Sequence, residues 1–138
     1  EGLPEGAEIH TFEVFDENED FLREWFEASA YKDKIHLHIG DALQLLPQMK
    51  EQWDLAFVDA DKREYVAYYE MLLPMMRPGG YIIADNTLWY GRVLEEARES
   101  DLQTRGVQAF NDLVASDSRV EKVILPLRDG LTLIRVKA

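Results

Sequence analysis

The chain has 138 residues, a hydrophobic fraction of 46% and a formal net charge of −12 at pH 7. The length suits one domain with its own core. So acidic a surface would be repelled by the phosphates of nucleic acids and by anionic membranes, which argues against a nucleic-acid-binding or membrane-surface protein. Without cysteine, disulfides and thiolate zinc sites are excluded. No signal peptide and no apolar run of about 20 residues is visible, so we expect a cytoplasmic protein.

Predicted strands and helices alternate along the chain. We predict strands at 8–14, 34–40, 54–60, 81–85, 119–127 and 131–137, and helices at 17–30, 41–49, 63–76 and about 101–116. The strand at 34–40 alternates apolar and polar residues, which predicts a half-exposed edge strand, whereas 54–60 is apolar on both faces, which predicts a central one. The turn "RDG" (128–130) predicts a hairpin. The sequence therefore predicts one domain, residues 1–138, of the α/β class: a Rossmann-like, doubly wound, mostly parallel sheet with a C-terminal antiparallel hairpin.

Two of the buried strands end in polar residues. Asp59 follows the strand at 54–60, and Asp85 and Asn86 follow "YIIA". Ligands of open α/β sheets bind outside the carboxyl ends of strands, and hard cations such as Mg²⁺, Mn²⁺ or Ca²⁺ prefer oxygen ligands. Lys62, beside such a cation, could act as a general base. The alternative is that these residues only begin loops or cap helices, and we expect Asp61 to cap the helix that begins near Arg63.

The three histidines are a second candidate metal site. His36 and His38 lie two residues apart on one face of a predicted strand, and His10 lies on another strand. They could bind a transition metal. The favoured interpretation is that they form the polar face of an exposed strand.

Four motifs carry a resemblance to a known family. The segments are "IGDALQLLP", "FVDADKREY", "RPGGYIIADNTLWYGRV" and "ILPLRDGLTLIRVK". From about residue 3 to the C-terminus, the sequence resembles the cation-dependent O-methyltransferases of the catechol and caffeoyl-coenzyme A type. The resemblance implies a class I methyltransferase fold, S-adenosylmethionine as methyl donor, a phenolic or catechol-like acceptor and a homodimer. It also implies that Asp59, Asp85 and Asn86 hold the metal and that Lys62 is the base.

Contacts with the cofactor and the acceptor are implied by the same resemblance. The cofactor-binding residues would be Glu13, Asp41, Ala42, Asp59, Ala60 and Asp61. Glu13 ends the first predicted strand, where an acid can bind ribose hydroxyls; otherwise it is an ordinary surface glutamate. Trp89 matches an aromatic residue that lines the acceptor pocket, with Tyr90 and Arg92 as possible neighbours. A tryptophan in a loop is otherwise often a local hydrophobic anchor.

The glycine-rich loop that should precede the ribose-binding acid is not found. Only 12 residues precede Glu13, and "EGLPEG" reads as a turn. We therefore expect a C-terminal part of a longer methyltransferase, weakly active or inactive by itself.

Two other functions stay open at this stage. One is a Mg²⁺-dependent phosphotransferase with Asp59 as nucleophile. The other is a non-catalytic folded fragment that serves assembly. Neither a Gly-x-Ser-x-Gly elbow nor a Walker loop is present.

Overall fold

The computed structural model describes residues 2–138. The chain divides into two compact units, an N-terminal unit that ends at Met49 and a C-terminal unit from Lys50 to Ala138. No helix within residues 2–138 combines the length and the apolar character that crossing a membrane requires.

The N-terminal unit contains a two-stranded parallel sheet. Its elements are β1 (Ile9–Glu13), α1 (Glu19–Glu27), β2 (Ile35–Ile39) and α2 (Ala42–Leu45). The register pairs the strands residue by residue, from Ile9 with Ile35 to Glu13 with Ile39. Helix α1 begins with two acidic residues, which suits the positive end of the helix dipole. The predicted helices are present but shorter, and the chain leaves the α-helical path near Pro47, where that residue removes a backbone donor.

The C-terminal unit is a four-stranded sheet with two helices. Its elements are β3 (Trp53–Val58), α3 (Tyr65–Leu72), β4 (Met76–Asp85), α4 (Leu102–Ser116), β5 (Val120–Leu125) and β6 (Leu131–Val136). The strand order is β3-β4-β6-β5; β3 and β4 are parallel, and β6 is antiparallel to both neighbours. The parallel pairing of strands linked by a helix and the C-terminal hairpin are confirmed.

The core of this unit is formed by helices α3 and α4 and one face of the sheet. Its fully buried side chains include Tyr65, Tyr69, Phe110, Ile82, Ile134 and Val107. Phe110 meets both tyrosine rings edge-on, at centroid distances of 5.4 and 6.0 Å. Such aromatic contacts stabilise the packing of α3 on α4 beyond the burial of area alone.

Strand β3 differs from its prediction as a central strand buried on both faces. Within its own unit it is an end strand, and Leu55 and Phe57 remain 58% and 60% exposed. On the opposite face Val58 is buried and Ala56 is half-buried, whereas Asp54 is exposed. The apolar sequence of β3 therefore did not indicate that the helices of the C-terminal unit cover only one face of the strand.

Candidate active site

The carboxyl ends of β3 and β4 bring the predicted carboxylates side by side. Val58 pairs with Ala84 in the parallel register, and Asp59 and Asp85 are the next residues along each strand. The hydroxyl of Tyr65 shares its hydrogen between the carbonyl oxygens of Val58, at 3.2 Å, and Asp85, at 3.0 Å. Tyr65 therefore ties the two strand ends together from the start of α3.

Lys62 is buried beside Asp59, with only 6% of its surface exposed. Its Nζ donates to Asp59 Oδ1 at 3.0 Å and to the Tyr65 hydroxyl at 2.6 Å. A lysine is almost never buried unless it is paired, because its charge must be compensated. These two bonds fix the amine at the strand ends, and its role as a base stays a prediction.

Tyr65 keeps its proton in this environment. Burial raises the pKa of the Tyr65 phenol, and the negative charges of Asp59 and Asp85 raise it further. A protonated hydroxyl can donate to the strand carbonyls while it accepts from Lys62. Tyr65 lies within the helix predicted at 63–76, and nothing in the sequence indicated this contact with the site.

The backbone of Lys62 is held from both sides. Asp61 caps the short helical turn that begins here, because its side chain accepts from Arg63 N at 3.0 Å. From α4, Gly106 packs so closely that a Cβ atom there would overlap the Lys62 carbonyl oxygen and lie 2.9 Å from Arg63 Cα. The predicted capping role of Asp61 is confirmed, whereas Gly106 was missed, because close approach of two distant segments leaves no local sequence signal.

The loop after β4 has an unusual backbone. Asn86, Trp89 and Tyr90 adopt φ values of 57°, 47° and 55°, in the left-handed region that bulky residues rarely occupy. Asp85 Oδ1 accepts from the backbone N–H of Asn86 at 2.7 Å, which sets the direction of the carboxylate. Strain of this kind is typical of functional sites.

The C-terminal hairpin holds this loop in place. Backbone N–H groups of Thr87 and Leu88 donate to the carbonyls of Gly130 and Asp129, at 3.1 and 2.9 Å. The buried hydroxyl of Thr132 donates to that of Thr87 at 2.8 Å. The "RDG" turn thus has a structural role at the site that its sequence alone did not indicate.

Trp89 lies beside the lysine. Its ring centroid is 6.0 Å from Lys62 Nζ, at the outer limit of a cation–π contact. Its Nε1 atom is buried and has no hydrogen-bond partner among residues 2–138. A buried donor without a partner is costly, so this N–H is available to a bound ligand.

The donor set at the strand ends fits a hard divalent cation. Asp59, Asp85 and Asn86 offer two carboxylates and an amide oxygen, which are the ligand types that Mg²⁺, Mn²⁺ and Ca²⁺ prefer. The Asp59 side chain is 56% exposed, so an ion can reach it while Oδ1 holds Lys62. These residues can therefore hold a metal, with a carboxylate shared between the ion and the lysine.

In the N-terminal unit, three of the predicted cofactor residues lie together. Gly40 N donates to the carbonyl of Glu13 at 2.8 Å, which places Asp41 and Ala42 next to the end of β1. The Glu13 side chain accepts from Phe15 N, and Asp41 caps α2 through Leu43 N, each at 2.9 Å. Both acids thus have local structural roles, and their binding roles stay predictions.

Ala60 and Asp61, the remaining predicted cofactor residues, form the turn after β3 in the C-terminal unit. The Asp61 carboxylate is held by Arg63, whose side-chain hydrogen bonds lower the pKa of Asp61. The cofactor role of both residues also stays a prediction.

Comparison with known proteins identifies the family. Residues 1–137 match the profile of a family described as O-methyltransferase, and the chain belongs to this family. Caffeoyl-CoA O-methyltransferase 2 of Zea mays is 39% identical over 147 residues, which cover 96% of this chain and 54% of that protein. The tapetum-specific methyltransferase 1 of Arabidopsis thaliana is 35% identical over 141 residues, covering 96% and 60%.

Solved structures agree with this assignment. An O-methyltransferase from Bacillus cereus, in complex with SAH, has a TM-score of 0.89 and 31% identity, covering 99% of this chain and 66% of that one. The O-methyltransferase TomG from Streptomyces achromogenes, in complex with SAM, has a TM-score of 0.91 and 26% identity, covering 99% and 65%. The predicted family and its Rossmann-like α/β fold are confirmed. The chain spans about half to two thirds of the length of these relatives.

Proposed function

We propose that this chain carries the metal-binding residues of a divalent-cation-dependent O-methyltransferase. Such an enzyme transfers a methyl group from S-adenosylmethionine to a phenolic or catechol-like hydroxyl. The observation that supports it most is the buried Lys62, paired with Asp59 at strand ends that also present Asp85. A structural ion pair would need neither the second carboxylate nor the strained loop beside it.

Asp59, Asp85 and Asn86 would hold the cation, which we expect to be Mg²⁺, with Mn²⁺ or Ca²⁺ as alternatives. When bound, such an ion supplies Lewis acidity that favours loss of a proton from a phenolic hydroxyl. The carboxylates of the chain would keep the ion at the edge of the sheet, and the hydrogen bond from Asn86 N to Asp85 would keep that carboxylate oriented.

In its neutral amine form, Lys62 would receive the proton of the acceptor hydroxyl and become an ammonium group. Its hydrogen bonds to Asp59 and Tyr65 hold Nζ in one position, and a general base must lie within about 2.6–3.2 Å of the proton it removes. Trp89 would form a wall of the acceptor pocket and offer its unpartnered N–H to a polar group of the acceptor. The caffeoyl-CoA O-methyltransferases among the relatives support a phenolic acceptor.

The proposed cofactor, S-adenosylmethionine, would supply the methyl group. The SAM complex of the Streptomyces relative and the SAH complex of the Bacillus relative support this choice. We propose contacts from Glu13, Asp41 and Ala42 at the end of β1 and β2, and from Asp59, Ala60 and Asp61 after β3. The homodimer and the cytoplasmic location stay predictions.

The test is transfer of a labelled methyl group from S-adenosylmethionine to a simple catechol, with Mg²⁺ or with a chelator. We expect product only with the metal, and at least about a 100-fold loss in Asp59→Asn, since removing even an outer partner of a metal ligand costs about 10–100-fold. Asp54→Asn is the matched control, because Asp54 is an exposed carboxylate at the other end of β3. A rate that is the same in the presence of chelator would contradict the proposal.

The same assay tests the predicted weak activity. Turnover by the 138-residue chain in the ordinary enzymatic range of about 1–10³ s⁻¹ would contradict that prediction. Complete absence of cofactor binding in a folded sample would favour the non-catalytic alternative. The phosphotransferase alternative has no support from the family match.

A further inference from the structure

All three histidines of the chain lie on one face of the two-stranded sheet in the N-terminal unit. His10 on β1 pairs with His36 on β2 in the parallel register. Glu8 and His38 each lie two residues from one of them, and side chains at i and i+2 share a face of a strand. The four side chains therefore converge on one face of this sheet.

Three of their atoms converge as metal ligands do. Glu8 Oε2 lies 3.6 Å from His10 Nε2 and 3.4 Å from His36 Nε2, and the three ligand atoms fall within 4.8 Å of one another. Two ligands bound at about 2.0–2.1 Å from a tetrahedral zinc ion are about 3.3 Å apart. The two measured distances to Glu8 are therefore close to those of a zinc site, and rotation of the imidazole rings would direct both Nε2 lone pairs to the ion.

His38 orients one of these ligands. His10 Nδ1 and His38 Nε2 are 3.0 Å apart, within a hydrogen bond, so a proton on His10 Nδ1 leaves His10 Nε2 with its lone pair toward Glu8. A metal-ligating histidine almost always donates its other N–H to an acceptor, usually a carboxylate, a carbonyl or water, and here Nε2 of His38 would be that acceptor. The His10 ring also stacks on those of His36 and His38, at centroid distances of 4.6 and 5.2 Å, which limits its rotation.

An exposed polar strand face explains this cluster less well. The side chain of His10 is only 15% exposed. The His36 side chain is 41% exposed, but its Nε2 atom is buried; this atom lies 3.4 Å from Glu8 Oε2 and makes no hydrogen bond within residues 2–138. A buried nitrogen without a hydrogen bond is unfavourable in the absence of a ligand.

We propose that Glu8, His10 and His36 bind a borderline divalent cation, with Zn²⁺ as the ion of best fit and a fourth position open to water or another ligand. Two imidazoles and one carboxylate are a ligand set that zinc favours, whereas Mg²⁺ prefers oxygen. His38 is a positioning residue, because it acts through His10. The ion would link β1 and β2 and would stabilise the sheet by the free energy of its binding.

Zinc alone, added to the tag-free chain, tests the proposal through the imidazole ¹⁵N spectrum. Only three histidines contribute signals. We expect one equivalent of Zn²⁺ to shift the Nε2 signals of His10 and His36, while Mg²⁺ shifts neither. Unchanged imidazole signals after addition of excess Zn²⁺ would overturn the proposal in the wild-type protein, without reliance on any variant.

Variants then assign the ligands by calorimetry. His36→Gln and Glu8→Gln should weaken Zn²⁺ binding by at least about 100-fold, and His38→Gln by about 10–100-fold. Glu5→Gln is the matched control for Glu8, since both glutamates are exposed. Asp59→Asn should bind zinc as the wild type does. Zinc binding that is lost in Asp59→Asn but kept in His36→Gln would assign the ion to the strand ends of the C-terminal unit and overturn the proposal.

Discussion

Replacing Gly106 with alanine should destabilise the protein, although alanine is normally the better helix former. Gly106 lies inside α4, where an alanine would usually gain about 1 kcal/mol. Here the added Cβ would overlap the Lys62 carbonyl oxygen and approach Lys62 C to 3.0 Å and Arg63 Cα to 2.9 Å. These are backbone atoms, which cannot turn aside as the end of a side chain can.

The expected magnitude follows from the two opposing effects. Adding a carbon to a well-packed contact costs about 1–3 kcal/mol. Since the neighbour is rigid, we expect the upper part of that range, and after the helix-propensity gain the free energy of unfolding should fall by about 1–2 kcal/mol. The displaced Lys62 backbone should also lower any methyl-transfer rate.

Urea unfolding of Gly106→Ala beside Ala109→Gly measures both effects. Ala109 is exposed on the same helix, so its replacement should report helix propensity alone, a loss of about 1 kcal/mol. If Gly106→Ala instead raises the free energy of unfolding by as much as Ala109→Gly lowers it, that result would refute the close contact with Lys62.

Three further changes test other parts of the structure. Hydrogen bonds from Arg119 hold the pKa of Asp117 well below its usual range. The ionised Asp117 therefore stabilises the fold fully at any pH above the ordinary carboxyl pKa of about 3.9. This stabilisation is lost as the pH falls through the lowered pKa of Asp117 in the folded protein. Asp117→Asn should therefore lower the free energy of unfolding by about 1.5–3 kcal/mol at pH 7. In urea unfolding, the difference between wild type and variant should shrink as the pH falls from about 4 toward 2. A difference that does not change with pH would contradict this prediction. Tyr65→Phe should lower the free energy of unfolding by about 1–3 kcal/mol, since the buried amine of Lys62 and the carbonyls of Val58 and Asp85 lose a hydrogen-bond partner. An unchanged midpoint of thermal unfolding would contradict a stabilising role of these bonds. Gly130→Ala should lower the free energy of unfolding by more than about 1 kcal/mol, because φ is +86° and the new Cβ would meet Leu88 N at 2.8 Å. It should also weaken Mn²⁺ binding measured by calorimetry. Unaltered Mn²⁺ affinity would mean that the hairpin does not position the loop after β4.

Periodicity and strand-end chemistry could predict much of the fold and part of the site. Alternating strands and helices gave the α/β class, and the parallel register then required Asp59 and Asp85 to be neighbours. The proximity of these two carboxylates was predictable because the geometry of a parallel sheet carries strand ends to one edge. Their role as metal ligands stays a prediction.

Contacts between distant segments could not be predicted. Tyr65 reads as one more aromatic residue of a helix, yet its hydroxyl contacts Lys62 and both strand ends. Gly106 reads as a weak point in a helix, yet its lack of a side chain admits the Lys62 backbone. Neither property is local, since each depends on which residue another segment brings close.

Binding of Mn²⁺ to the purified chain tests the proposed metal site most directly. Electron paramagnetic resonance of free Mn²⁺, measured during a titration of the wild type, Asp85→Asn and the control Asp54→Asn, gives the three affinities. We expect one site in the wild type, equal affinity in Asp54→Asn and at least about a 100-fold loss in Asp85→Asn. If Asp85→Asn binds Mn²⁺ as tightly as the wild type does, the carboxylates at the ends of β3 and β4 do not form the metal site, and the proposed function fails with it.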